Sequence, residues 1–210
     1  MTAPAVAVLL AAGAGTRLGR GPKALLPHGG HGGRPLVEHV SGVLLDGGCD
    51  GVVVVLGAEA DRVRTACALD APGLRVVVNP DWPTGMASSL RAGVAAALAP
   101  HDGEPPARVV VAHVDQPGVA PADVARLLAA HRPGRVAASR WADAPASEAG
   151  PRWSHPLVLD AGLAVPAAAS AVGDAGARAF LRAHADLIDV VTHPGDGRDV
   201  DTEADLDLLA

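Results

Sequence analysis

The chain has 210 residues, 49% apolar but only 2% aromatic, with a formal net charge of −6. That length suits one α/β domain able to bury a core, and the acidic balance excludes generic nucleic-acid binding, which needs a basic surface. The two cysteines, Cys49 and Cys67, are too few for a disulfide framework and lack metal-ligand spacing, so both read as buried thiols.

The N-terminal AVAVLLAAGAG has the apolarity of a signal segment, but no Lys or Arg precedes it and a charged loop follows, so Val6–Ala11 reads as a strand. Pro35–Asp46 (PLVEHVSGVLLD) reads as a helix opened by proline and closed by Gly47 and Gly48. Val52–Leu56 is a second strand, Glu59–Leu69 a polar-faced helix, Leu74–Asn79 a third strand and Met86–Leu98 an Ala-rich helix. HDGEPPA, residues 101–107, reads as a surface loop. Arg108–Val114 is a fourth strand, Pro121–His131 a helix and Val136–Ser139 a short strand. The last third is less regular. Trp141–Gly150 reads as a small-residue loop, Arg152–Leu159 as a strand, Ala175–His184 as a helix, Leu187–Val191 as a strand and Thr202–Leu209 as a closing helix.

Uninterrupted apolar strands between helices predict a mostly parallel, doubly wound sheet covered on both faces, a three-layer α/β/α architecture of Rossmann-like kind. One domain over residues 1–210 is expected. No apolar run reaches membrane-spanning length, and a soluble, cytoplasmic protein without membrane or nucleic-acid partners is expected.

The first strand runs into LAAGAGTRLGRGPK, residues 10–23. Ligands of open parallel sheets bind beyond the carboxyl ends of the strands, and Gly13 and Gly15 allow close backbone approach and offer N–H donors to an anion. The loop lacks the Gly-Lys-Ser/Thr ending of a Walker A loop. As a dinucleotide fingerprint it places the third glycine, Gly19, one residue late, and Gly21-Pro22 breaks the helix that should begin there. Arg17 and Lys23 can instead fold over a triphosphate, one as a planar fork and the other as a point charge. The bland alternative is a solvated basic loop. The strand end, the glycines and the clustering of cations in an acidic chain favour the triphosphate.

This loop resembles the LxxGxGxRMGxxK signature of the nucleotidyltransferases related to the molybdopterin guanylyl- and cytidylyltransferases, the MobA-like NTP transferases. The resemblance continues through GMASSLRAGV (85–94), VDQP (114–117), SHPLVL (154–159) and DVDT (199–202). It implies a sheet of the nucleotide-diphospho-sugar transferase type, with the triphosphate held by Gly13, Gly15, Arg17 and Lys23 and the nucleotide lined by Leu10, Ala11 and Ala12. Leu18 stands where the family has Met, and Pro22 where Asn or Asp is common.

Asp115 follows the fourth strand and points toward the same crevice. It reads either as a turn or cap residue before Pro117 or as a magnesium ligand, since Mg²⁺ takes few protein oxygens and fills its shell from phosphate and water. The resemblance implies the metal role. Asp199 and Asp201 flank Val200 and share a face on extended backbone. Either can be the second Mg²⁺ ligand, although Asp201-Thr202 also reads as a helix cap. Ser88 and Ser89 can simply cap their helix, whereas the resemblance implies that Gly85 and Ser89 contact base and ribose. Arg91 can reach the crevice or the solvent. His28 and His31 are too few for a zinc site. His113 shares a face with Asp115, and the resemblance puts His155 near the acceptor.

No covalent nucleophile is evident. An ionised phosphate acceptor needs none, because the work is positioning and charge neutralisation as pyrophosphate leaves. The resemblance implies transfer of NMP from an NTP to a phosphorylated acceptor. The Ala11-Ala12-Gly13 run looks more like the cytidylyl branch, which implies CTP and molybdopterin, and delivery to a molybdoenzyme. GPKALLP, residues 21–27, also resembles actinobacterial sequences grouped with nicotine blue oxidoreductase, a flavin- or nicotinamide-using reductase. A nucleotide-binding regulator without activity is a third reading.

Overall fold

The structure is a computed structural model that describes residues 3–29, 33–100, 105–144 and 153–210. Its strands are β1 (Ala5–Ala11), β2 (Pro27–His28), β3 (Arg34–Pro35), β4 (Gly51–Leu56), β5 (Leu74–Val78), β6 (Arg108–His113), β7 (Val136–Trp141), β8 (Ser154–Asp160) and β9 (Ile188–His193). Its α-helices are α1 (Leu36–Asp46), α2 (Ala60–Ala66), α3 (Met86–Ala97), α4 (Pro121–Ala130), α5 (Ala161–Ala169) and α6 (Arg178–Ala183).

Seven strands form the central sheet in the order β5-β4-β1-β6-β8-β7-β9, and β2 and β3 form a small antiparallel ladder beside it. β8 pairs antiparallel with both neighbours, and every other pairing in the main sheet is parallel. The expected three-layer, mostly parallel architecture is therefore present, with one reversed strand.

The sequence explains why both faces are covered. On β4, Val52 and Val54 pack into one apolar cluster while Val53 and Val55 pack into the other, as period-2 alternation requires. β1 and β6 divide in the same way, with Leu9 and Val110 on one side and Val8 and Val111 on the other. One cluster lies under α1, α2 and α4, the other under α3, α5 and α6. Each fully buried Val or Leu contributes about 1.5–3 kcal/mol relative to exposure, so the Val runs alone commit these segments to the centre of the sheet. Helix α3 sits close to β1 and β4 because Gly93 faces them. A Cβ there would come 2.3 Å from Val8 Cγ1 and 2.8 Å from Val55 Cγ2.

Several boundaries differ from the sequence expectations. α1 starts at Leu36, with Pro35 as its cap residue. α2 ends at Ala66, three residues early, with Cys67 extended. β7 continues through Trp141, and residues 145–150 of the expected loop lie outside the described residues, as do Arg152, His31 and residues 101–104. The expected helix over 175–184 is instead a 3₁₀ turn, Gly173–Ala175, followed by the six-residue α6. The expected closing α-helix is a 3₁₀ segment, Glu203–Leu209. Helix α5 falls in a stretch for which no element was expected, and Pro166 stands within it. Asp160 caps it by accepting from Gly162 N at 2.9 Å. Cys49 and Cys67 are both buried and free, and burial pushes their thiols up to about 12 and about 11.

Candidate active site

The in-register pairing of Leu10 with Val55 and with His113 brings the ends of β1, β4 and β6 level. The loop after β1 and the segment after β6 therefore leave the sheet side by side. The loop folds back so tightly that a Cβ on Gly15, whose φ is +63°, would stand 2.1 Å from the Gly21 carbonyl oxygen. Gly19 N donates to Gly15 O at 3.0 Å and closes the turn. Leu18, Ala24 and Leu26 are buried and pin the loop to the core. Between these anchors Arg17 projects outward, its side chain 78% exposed, while Lys23 lies inward at 15%.

Lys23 meets two carboxylates. Its Nζ donates to Asp115 Oδ2 at 2.8 Å and to Asp201 Oδ1 at 2.5 Å. Burial disfavours the ammonium, but Asp115 and then Asp201 outweigh it and hold the Lys23 pKa above the ordinary lysine value. Arg17 donates to the other oxygen of Asp201 at 2.9 Å. Being exposed, that pair adds little stability.

The carboxylates are placed by backbone contacts. Val200 is fully buried and its N–H donates to Asp115 O at 2.8 Å. With Val200 turned into the core, Asp199 and Asp201 both face the cleft. Thr202 and Asp205 form the cap of the closing 3₁₀ segment, with Thr202 N donating to Asp205 Oδ2 at 2.8 Å, so the Asp201 carboxylate is not consumed as a cap. Among the described residues the Asp115 carboxylate accepts no backbone N–H, and it is Asp123 that accepts the Ala120 N–H at the start of α4. Hydrogen bonding from Lys23 lowers the Asp201 pKa. Asp199 goes the other way, pushed up to about 6 by burial and by the charges of Asp115 and Asp201, while the Gln116 amide works against the rise.

These groups border a cleft of about 650 Å³. Leu10, Ala12, Gly13, Gly15, Arg17, Lys23, Gly85, Ser89, Asp115, Asp199 and Asp201 all line it. Ala11 does not; its side chain turns into the opposite cluster, because odd positions of β1 face α1 and α2. Thr16, Trp82, Pro83, Met86, Asp174 and Arg178 also line the cleft and were missed. Trp82, in a nearly aromatic-free chain, was the one available signal. Arg178 stands alone at the start of a short helix and gave none.

The two serines of α3 are buried and tied together rather than free. Asn79 Nδ2 donates to Ser88 Oγ at 2.8 Å and to Ser89 Oγ at 3.0 Å. Arg91 donates to Ala171 O at 2.8 Å, which fixes it structurally. His113 and His155 stack with centroids 4.0 Å apart. Burial holds both below the ordinary histidine pKa, with Arg178 adding to the effect, so both are neutral near pH 7. His28 stacks on His39 instead of facing the carboxylates.

Among the described residues no three His, Cys, Asp or Glu groups converge on a protein-only metal cage. The donors present are hard carboxylate oxygens. They suit Mg²⁺ or Mn²⁺, whose remaining positions phosphate and water would fill.

A nicotine blue oxidoreductase from Paenarthrobacter nicotinovorans is 48% identical over 199 residues, which cover 93% of this chain and 91% of that protein. Rv0371c from Mycobacterium tuberculosis superposes with a TM-score of 0.77 at 28% identity, covering 99% of this chain and 97% of the other. The same protein in complex with manganese gives 0.73. A nucleotidyl transferase from Methanothermobacter gives 0.75 at 24% identity over 96% of this chain and 94% of that one, a likeness of fold alone. The MobA-like NTP transferase domain model matches residues 7–187, and the chain belongs to that family.

Proposed function

We propose that the chain is a Mg²⁺-dependent nucleotidyltransferase that transfers NMP, and specifically CMP from CTP, to a phosphorylated acceptor such as molybdopterin, releasing pyrophosphate. The observation that carries this reading is the meeting of Lys23 with Asp115 and Asp201 at the mouth of a nucleotide-sized cleft.

In this reading Arg17, Lys23 and the N–H groups around Gly13 and Gly15 bind the triphosphate, while Leu10, Ala12, Gly85 and Ser89 line the nucleoside. An oxygen of the acceptor phosphate attacks the α-phosphorus. The new P–O bond forms as the bond to the bridging oxygen breaks, and that electron pair departs with pyrophosphate. The acceptor is already ionised, so the neutral His113–His155 pair is not needed as a base and serves to shape the acceptor side. Lys23 meets the negative charge that grows on the leaving group. Asp115 with Asp199 or Asp201 would hold the divalent cation, which supplies neutralisation of phosphate charge when bound. The raised pKa of Asp199 among two other carboxylates supports a role for a cation there. The Ala11-Ala12-Gly13 run supports CTP, and a product of the molybdopterin kind would be handed to a molybdoenzyme.

The test is a screen of four NTPs for Mg²⁺-dependent thermal stabilisation, followed by pyrophosphate release. Stabilisation by CTP above the others, with release once acceptor is added, is expected. Equal indifference to all four NTPs overturns the reading.

The identity to a nicotine blue oxidoreductase favours a second reading, reduction by NAD(P)H or a flavin. Against it, the loop runs into a three-residue 3₁₀ turn, Lys23–Leu25, rather than a helix whose N-terminus can hold a dinucleotide pyrophosphate. Consumption of NADPH with a quinone-like dye, or a yellow purified protein, would support this second reading.

A further inference from the structure

A second cavity of about 170 Å³ opens beside the cleft, between α3, α5, β6 and β8. The two share Leu10, Met86, His113, Asp174, Arg178 and Asp199, so one molecule can enter from the cleft and end in the cavity. The cavity walls are mostly apolar, with Leu90, Val94, Leu157, Ala164, Ala167 and Leu181 among them. Its size is set by alanines on α5, and an apolar cavity of ~150 Å³ is known to accept one benzene ring. Against the wall formed by α3 and α5 a polyol would leave hydroxyls without partners, which is penalised.

Polar side chains line the end of the cavity nearest the cleft, Asp174, Arg178 and Asp199 among them, and two buried polar atoms deeper in lack a partner. Gln116 is 4% exposed, and its Nε2 donates to Gly197 O at 3.3 Å. That leaves Oε1 buried without a partner, and His113 Nε2 is in the same condition. A buried acceptor without a donor is uncommon in a folded protein and marks a place where a ligand donor is missing. The stacked imidazoles of His113 and His155 form part of the cavity wall. At the rim shared with the cleft, Arg178 is exposed and makes no ion pair among the described residues.

The geometry points to an acceptor of a particular class, an inference that rests on the transferase reading. Its buried end is one compact flat ring bearing an N–H or O–H donor for Gln116 Oε1, and its phosphate faces Arg178 and the cleft. The apolar wall of α3 and α5 disfavours a sugar phosphate in this cavity.

The experiment uses the full chain, with and without CTP and Mg²⁺. The probes are phenyl phosphate, 4-hydroxyphenyl phosphate and ribose 5-phosphate, followed by calorimetry and ligand-observed NMR. Phenyl phosphate should bind at least tenfold more tightly than ribose 5-phosphate, and the added hydroxyl should tighten it further. Ala167→Leu fills the cavity and should weaken phenyl phosphate at least tenfold while the thermal shift with CTP persists. Gln116→Leu should abolish the preference for the hydroxylated ring without abolishing phenyl phosphate binding, which keeps the test decisive if Ala167→Leu misfolds. Equal binding of ribose 5-phosphate, or ring binding indifferent to both variants, overturns the assignment of the cavity and leaves the transferase reading intact. Ring binding that persists in a chain no NTP stabilises overturns the transferase reading, and with it the ring's status as acceptor.

Discussion

Lys23 and Asp115, 92 residues apart in sequence, form an ion pair of 2.8 Å, and the same ammonium reaches Asp201 at 2.5 Å. One ammonium thus bridges two of the carboxylates proposed as metal ligands. Lys23→Ala should lower kcat/KM for transfer by a factor on the order of 100 to 1,000, the usual cost of one preorganised charge donor. The same variant should bind Mn²⁺ more tightly in the absence of nucleotide, because the competing ammonium is gone. Electron paramagnetic resonance titration reads the second effect separately. Unchanged metal affinity together with near-normal turnover would refute both roles of Lys23.

Asp115→Asn should abolish turnover while the fold survives, since the structural bond at this position, from Val200 N–H, uses the backbone carbonyl and not the carboxylate. Asp199→Asn and Asp201→Asn, compared for Mn²⁺ affinity with CTP present, identify the second ligand as the one whose loss costs tenfold or more. Near-wild-type rates in Asp115→Asn would remove the basis for the metal site.

The Val runs of β1, β4 and β6 were legible because each segment is apolar on both faces and bounded by Gly, Pro or charge. The meeting of the loop with Asp115 followed from those strand ends. Strand direction was not legible: β8 runs antiparallel although SHPLVL has the apolar composition of the other strands, since direction is set by the connection and not by the strand. Helix α5 was hidden by Pro166, which reads as a breaker although the helix is held by the Asp160 cap and by alanines packed into the core. Ala11 was assigned to the nucleotide by the family resemblance, whereas alternation along β1 turns its side chain away. Arg178 becomes visible only when a short helix is folded over the cleft.

Gly15→Ala should remove nucleotide binding with little change in overall stability. Its φ of +63° and the Gly21 carbonyl leave no room for a methyl group, so the loop must open. Loss of CTP-dependent thermal stabilisation, with the unliganded melting temperature within about 3 °C of wild type, is the expected result. Retained stabilisation by CTP would show that the closed loop is not needed to hold the phosphates.

Gly93→Ala tests packing rather than chemistry. Its Cβ would press Val8 and Val55, both buried, and neither can retreat from the sheet. Overpacking of this kind costs about 1–3 kcal/mol, which should exceed the gain of alanine in helix propensity. Urea unfolding should therefore show a lowered midpoint at unchanged slope. A midpoint at or above that of wild type would mean that α3 can shift away from the sheet without loss.

A pH-dependent contribution is expected at the far edge of the sheet. Asp189 on β9 accepts from Arg135 Nε at 2.7 Å and from Arg132 at 2.7 Å. Hydrogen bonds from Arg135 and then Arg132 hold its carboxyl well below the usual range. A carboxyl depressed in the folded state stabilises above its unfolded pKa of about 4, and that stabilisation is lost as pH falls below it. Asp189→Asn should therefore lower the urea midpoint at pH 7 and lower it less at pH 3, where the wild-type chain begins to lose the same contribution. A midpoint difference that is equal at both pH values, or larger at pH 3, would show that the two arginines stabilise β9 through packing of their stems rather than through charge.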